Sequence, residues 1–164
     1  MNNKQKRITR NQIRAKVNKL ITACNFEIPP VKLATVVKHL NIFVDKGLTD
    51  FLDSNKVSAF IDLESRILEY NDNHPTVRKR FSVAHEIGHL VLGHSVKNDI
   101  FSYNSRNPIE VEANIFAAEL LMPFKWLKED LGKYNAKIDK LAHKYWVSKE
   151  AMGWRISNSD SLIG

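Results

Sequence analysis

Apolar residues at Ile13, Val17, Leu20, Ile21 and Cys24 recur at helical spacing from Asn11 onward, with basic residues set between them. The pattern predicts an amphipathic helix whose apolar stripe docks on the body of the protein. Pro29-Pro30 breaks that run, and Pro30 is placed to open a second helix carrying Leu33, Val36, Val37 and Leu40. The period then shortens. Ile42-Phe43-Val44 reads as a short strand, and residues 57–63 and 66–70 as two more, with Glu64-Ser65 between them as a tight turn. His74-Pro75 closes the extended region.

Helical spacing returns from Thr76 to Leu92, where Phe81, Ala84, Gly88 and Leu92 form an apolar stripe and Gly93 is placed to cap the helix. Residues 95–107 are polar and predict a loop. Asn107-Pro108 is a strong helix start, a capping residue followed by proline in the first turn. That helix runs to Leu121. Pro123 opens another, which Gly132 ends, and residues 138–156 read as two short helices joined at Trp146-Val147-Ser148. Helices, a small sheet, then helices again make an α+β arrangement. Three parts are expected: a basic N-terminal helix over 1–28, a central domain over 29–132, and a helix-turn-helix-like extension over 133–164 packed on that domain.

Composition narrows the classes. The 164 residues are 43% apolar, enough for a real core, and no run approaches the ~20 apolar residues needed to span a membrane. The start is basic but no apolar signal stretch follows it, so a cytoplasmic protein is expected. Cys24 is the sole cysteine, which leaves no intramolecular disulfide and no cysteine-based zinc site. The net charge of +7 has a local source: residues 1–20 hold Lys4, Lys6, Arg7, Arg10, Arg14, Lys16 and Lys19 and no acid, while the rest balances 18 bases against 18 acids. Such an arm is either a solvated helix face or a contact for nucleic acid or an acidic partner.

The chemistry sits at His85-Glu86-Ile87-Gly88-His89. On a helix, positions i and i+4 share a face, so both imidazoles can reach one metal ion. Glu86 projects beside them, where it can reach a water on that ion. Zinc suits nitrogen ligands and brings its bound water's pKa near neutrality, and a neighbouring carboxylate can then take the proton and pass it to a leaving amine. The competing role is a buried helix whose histidines are merely hydrogen-bonded, and it gives Glu86 no part.

A catalytic zinc needs a third protein ligand. Glu110, Glu112, Glu119 and His94 are the candidates. His94 lies about 180° round the helix from His85 at 100° per residue, and follows the helix end at Gly93. Ala113, Asn114, Ala117, Leu120 and Leu121 fall on the Glu110 side of the next helix, and these small residues allow close approach to the histidine helix. Glu110 is therefore expected inward, with Glu112 and Glu119 outward. The competing role for Glu110 is a capping box with Asn107. Asn114, one turn after Glu110, can support a ligating histidine by hydrogen bonding.

Two segments carry a family resemblance. Arg80-Phe81-Ser82-Val83-Ala84-His85-Glu86-Ile87-Gly88-His89, followed by Glu110-Val111-Glu112-Ala113-Asn114-Ile115-Phe116-Ala117-Ala118-Glu119-Leu120-Leu121-Met122-Pro123, resembles the ImmA/IrrE family of metallo-endopeptidases. The likeness spans roughly residues 29–156. It implies a zincin-like fold with a small antiparallel or mixed sheet packed on the active-site helix. It implies His85, His89 and Glu110 as ligands of one zinc ion and Glu86 as catalytic base. Glu110 with Asn114 is similar to the Glu-x-x-x-Asp pair of glutamate zincins, with Asn in place of Asp. The family's usual substrate is a helix-turn-helix repressor, whose cleavage derepresses phage, mobile-element or stress genes.

Residues 138–152 resemble the helix-turn-helix found at this end of the family. Ser148 suits the N-cap of its second helix, and Trp146 holds the turn position where glycine is usual. Positive φ is costly for so bulky a residue, so a different turn is expected there. Tyr103, His94 and His143 are candidates to stabilise the oxyanion. Imidazole and carboxylate ligands also accept manganese or iron. The alternative function is a DNA-associated regulatory module with a structural metal, for which the sequence offers no convincing fourth ligand.

Overall fold

The computed structural model describes residues 7–46, 57–95, 107–133 and 137–158. Helix α1 spans Arg10–Ala23 and α2 spans Leu33–His39. A Thr9–Gln12 capping box starts α1, each side chain serving the other's backbone amide. Helix α2 begins not at Pro30 but three residues beyond it, at Leu33, with Lys32 at the N-cap giving no side-chain cap. Strands β1 (Phe43–Lys46), β2 (Ala59–Asp62) and β3 (Ile67–Tyr70) follow, then helices α3 (Thr76–Leu92), α4 (Pro108–Leu121), α5 (Phe124–Lys133), α6 (Ile138–Tyr145) and α7 (Lys149–Ser157). The α+β class expected from the sequence is the one observed.

The sheet has order β1-β3-β2. β3 pairs parallel with β1, setting Phe43 against Ile67, and antiparallel with β2, setting Ile61 against Leu68. The β2–β3 turn is wider than Glu64-Ser65. The Asp62 carboxylate accepts from the Glu64 and Ser65 amides, and Arg66 takes a left-handed φ of 57° before β3 begins.

The close packing of α3 on α4 decides where the chemistry lies. Gly88 makes the approach feasible: a Cβ there would meet Phe116 side-chain atoms at 3.0–3.2 Å. Gly93 ends α3 with φ 71°, and its turn returns the His94 amide to the His89 carbonyl at 3.0 Å. Asn107 caps α4 by accepting from the Ile109 amide. One apolar core takes Ile13 and Val17 from α1, Ile61 and Leu68 from the sheet, Ile87 from α3, Phe116 and Leu120 from α4, and Leu141 and Met152 from the last two helices.

Three expectations are corrected. Gly132 does not end α5, which runs on to Lys133. Trp146 does not give a different turn: it caps α6 at φ 55°, ψ 49°, the conformation glycine would adopt. Arg80 holds it there, donating from Nε to the Trp146 carbonyl at 3.0 Å with the guanidinium 5.5 Å from the indole centroid. Glu112 and Glu119 are not outward but buried, because α4 is covered by α3 on one side and α1 on the other. Of the polar loop expected over 95–107, residues 96–106 lie outside the described residues, as does Tyr103.

Candidate metal centre

His85 and His89 project from one face of α3 and Glu110 from the first turn of α4; all three are buried. Their ligand atoms converge. The two Nε2 atoms are 3.0 Å apart, His85 Nε2 is 3.1 Å from Glu110 Oε2, and His89 Nε2 is 3.4 Å from Glu110 Oε1. Metal–ligand bonds of about 2.0–2.1 Å in a tetrahedron put neighbouring ligand atoms about 3.3–3.4 Å apart. The three separations are close to those edges. As a hydrogen-bonded cluster the same atoms are poorly served, since Glu110 Oε1 is buried without a hydrogen bond. Two imidazole nitrogens and a carboxylate fit zinc, and among the described residues this is the one group so arranged.

The outer nitrogens are engaged too. His85 Nδ1 lies 2.9 Å from Asn114 Oδ1, one turn beyond Glu110 on α4. An amide oxygen only accepts, so His85 donates there and keeps Nε2 for the centre. His89 Nδ1 lies 2.9 Å from Nδ1 of His94, whose Nε2 is 3.0 Å from Glu112 Oε2. Helical spacing discounted His94 and sent Glu112 outward, so both contacts were missed. The signal was Gly93, since a left-handed cap folds the next residue back along the helix it ends.

Charges respond to this crowding. Burial would raise the Glu110 carboxyl, but the His85 hydrogen bond, the close His89 contact and the charge of both imidazoles hold it down at about 2. Burial would lower the His85 imidazole, yet its bond to Glu110 and the charges of Glu86 and Glu110 carry it above its ordinary value. Glu86 is partly exposed at the side of the cluster. Burial lifts its carboxyl to about 7, against the pull of His85 and of the Ile61 backbone bond and with the push of Glu110. A carboxyl tuned near neutrality is what a general base requires. Among the candidate oxyanion donors, His94 is committed to His89 and Glu112, and His143 stands exposed on α6.

The family model described as Peptidase_M78, IrrE N-terminal-like domain, matches residues 45–157. No curated protein matches the chain. A solved structure of a Mycobacterium tuberculosis transcriptional regulator shares the fold with a TM-score of 0.70 at 13% identity, over 93% of this chain and 49% of the regulator. The chain thus spans about half the length of that protein, and the likeness is one of fold.

Proposed function

Because this chain belongs to the Peptidase_M78, IrrE N-terminal-like family, we propose that it is a zinc-dependent endopeptidase that cleaves a helix-turn-helix repressor in the cytoplasm. The observation that carries the reading is the convergence of the His85, His89 and Glu110 ligand atoms, with Glu86 one residue along from His85 on the same helix. Three protein ligands leave a position open for water and substrate, whereas a structural zinc is normally closed by four.

When bound, zinc supplies Lewis acidity and lowers the pKa of water. The protein's residues do the rest. Glu86 takes the proton of the attacking water and delivers it to the leaving amine. Its carboxylate accepts from the Ile61 amide, which ties the base to β2. Among the described residues β2 pairs with β3 alone, so apart from the Ile61 amide its other edge offers backbone groups to an extended peptide. Asn114 holds the His85 ring with Nε2 inward. A repressor substrate rests on the family resemblance, and a transcriptional regulator sharing the fold fits a place in gene control.

The test pairs elemental analysis with a cleavage assay. Wild type should carry about one zinc per chain. Glu110→Ala should lose it. Glu86→Gln should keep it and cleave candidate repressors roughly 10²–10⁴-fold more slowly, as fragment masses will show. Undiminished cleavage by Glu86→Gln would sink the mechanism. Wild-type protein without metal would favour the DNA-associated module, whose binding should weaken steeply with salt.

A further inference from the structure

Neither the bond between His94 and Glu112 nor the bond from the Ile8 amide to Glu112 takes part in the chemistry above. His94 and Glu112 are both buried, and their contact at 3.0 Å backs directly onto His89. The other oxygen of Glu112 accepts from the Ile8 amide at 3.0 Å. Ile8 lies just ahead of the Thr9 cap of α1, so the carboxylate is fixed between the last turn of the histidine helix and the N-terminal arm.

Donor and acceptor roles along this chain follow from chemistry. An ionised carboxylate only accepts. His94 therefore donates from Nε2 to Glu112, and its neutral ring presents a bare Nδ1 to His89. His89 must then donate from Nδ1, which leaves its Nε2 lone pair directed at His85 and Glu110. All three hydrogen bonds thus run toward one carboxylate and select the single tautomer of His89 that can ligate a metal.

We propose that His94 and Glu112, with the Ile8 amide behind them, form a positioning relay that sets the tautomer and ring orientation of His89 for metal binding. The proposal rests on the reading of His85, His89 and Glu110 as the metal centre. It assigns the N-terminal segment a part in the site: Ile8, the residue before the cap of α1, helps hold a ligand 81 positions further along the chain. Asn114 does the corresponding work for His85, so each ligating histidine has its own support, one short and one relayed.

The experiment is zinc affinity of the full chain, by competition with a chromophoric chelator, together with nitrogen-15 imidazole spectra of the same samples. His94→Phe keeps the bulk of the ring and removes both polar contacts. It should weaken zinc binding roughly 10–100-fold and abolish the hydrogen-bonded Nδ1 proton signal of His89. His94→Gln can accept with its oxygen and donate with its nitrogen, and should recover most of the affinity. Should His94→Phe fail to fold, Glu112→Gln and Ile8→Pro carry the test. Ile8→Pro removes the amide proton and should weaken zinc binding several-fold, whereas Ile8→Ala, which keeps it, should not.

Unchanged affinity in folded His94→Phe, or in both Glu112→Gln and Ile8→Pro, would overturn the relay while leaving the metal centre intact. Equal losses in His94→Gln and His94→Phe would reduce His94 to packing and overturn it as well. A wild-type chain that binds no zinc would remove the metal centre itself, and the relay with it.

Discussion

Helix α4 buries a carboxylate near each end, and the two are neutralised in opposite ways. Glu110 and Glu119 are each 1% exposed, nine residues and about 13 Å apart along the axis. Glu119 meets two guanidinium groups, Arg14 from α1 at 3.1 Å and Arg155 from α7 at 2.8 Å. Arginine does not lose its proton in proteins, so that charge is cancelled permanently. Glu110 meets two imidazoles, which unlike a guanidinium can exist as neutral rings. The Glu119 end is a closed ion cluster that joins the first and last helices, and Arg155 also donates to the Met122 carbonyl at 3.2 Å. The Glu110 end has imidazoles rather than guanidinium groups for partners among the described residues, and there the proposed metal ion would add positive charge.

The largest expected effect separates the two ends by substitution. Glu119→Ala leaves the buried Arg155 without its carboxylate and should destabilise the fold by about 3–5 kcal/mol in urea unfolding, with zinc per folded chain unchanged. Glu110→Ala should lose zinc and should destabilise the metal-free fold less than Glu119→Ala does, because the imidazoles it leaves behind can be neutral whereas a guanidinium cannot. If Glu119→Ala also emptied the metal centre, or Glu110→Ala alone collapsed the fold, the two ends would not be independent.

Why the sequence disclosed one end and not the other has a physical answer. The His85, Glu86 and His89 spacing, the Asn107-Pro108 start and the small residues around Glu110 are local features, and each helix boundary near the site follows from them. The Glu119 cluster draws its cations from residues 105 positions earlier and 36 later, and helical spacing carries no such information. Assigning Glu112 and Glu119 to a solvent face assumed that α4 has one. Val111, Ala113, Ile115, Phe116, Ala117, Ala118, Leu120 and Leu121 are spread round that helix, and of these only Val111 is exposed, so most of its circumference is buried. Read that way, two further glutamates on α4 call for buried partners. His94 was missed for a different reason: the 100° rule stops at Gly93, where the backbone turns left-handed.

A second, smaller effect exposes the same contrast through pH, in metal-free protein. Glu86 has its carboxyl raised by burial from the ordinary 4.5 to about 7. Between those values the folded chain keeps a proton that the unfolded chain has released. Stability from this group is therefore complete below pH 4.5 and is lost as pH rises through 7, by about 2 kcal/mol once partial exposure is allowed for. The raised His85 adds a loss in the same direction as pH rises past its folded value. Urea unfolding at pH 5 and pH 8 should show the decline in wild type and a flatter response in Glu86→Gln. Bound zinc should lower the Glu86 value by its charge and weaken the decline. Equal slopes in wild type and Glu86→Gln would remove Glu86 as the source.

The smallest effect concerns how the arginine end is delivered. Arg155 reaches Glu119 from α7, which follows α6 through Trp146 in a left-handed conformation that costs a non-glycine residue about 1 kcal/mol or more. The Arg80 bond to the Trp146 carbonyl and the guanidinium–indole contact oppose that cost, the latter by about 0.5–1 kcal/mol. Trp146→Gly loses the contact and the strain together, so it should stay within about 1 kcal/mol of wild type. Trp146→Ala loses the contact and keeps the strain, and should be less stable than the glycine variant by about 1 kcal/mol. Thermal unfolding of the pair reads the difference without reference to metal. Equal stability of the two would mean that the turn is not held left-handed, and that the Glu119 cluster is oriented by its own ion pairs rather than by the turn that precedes it.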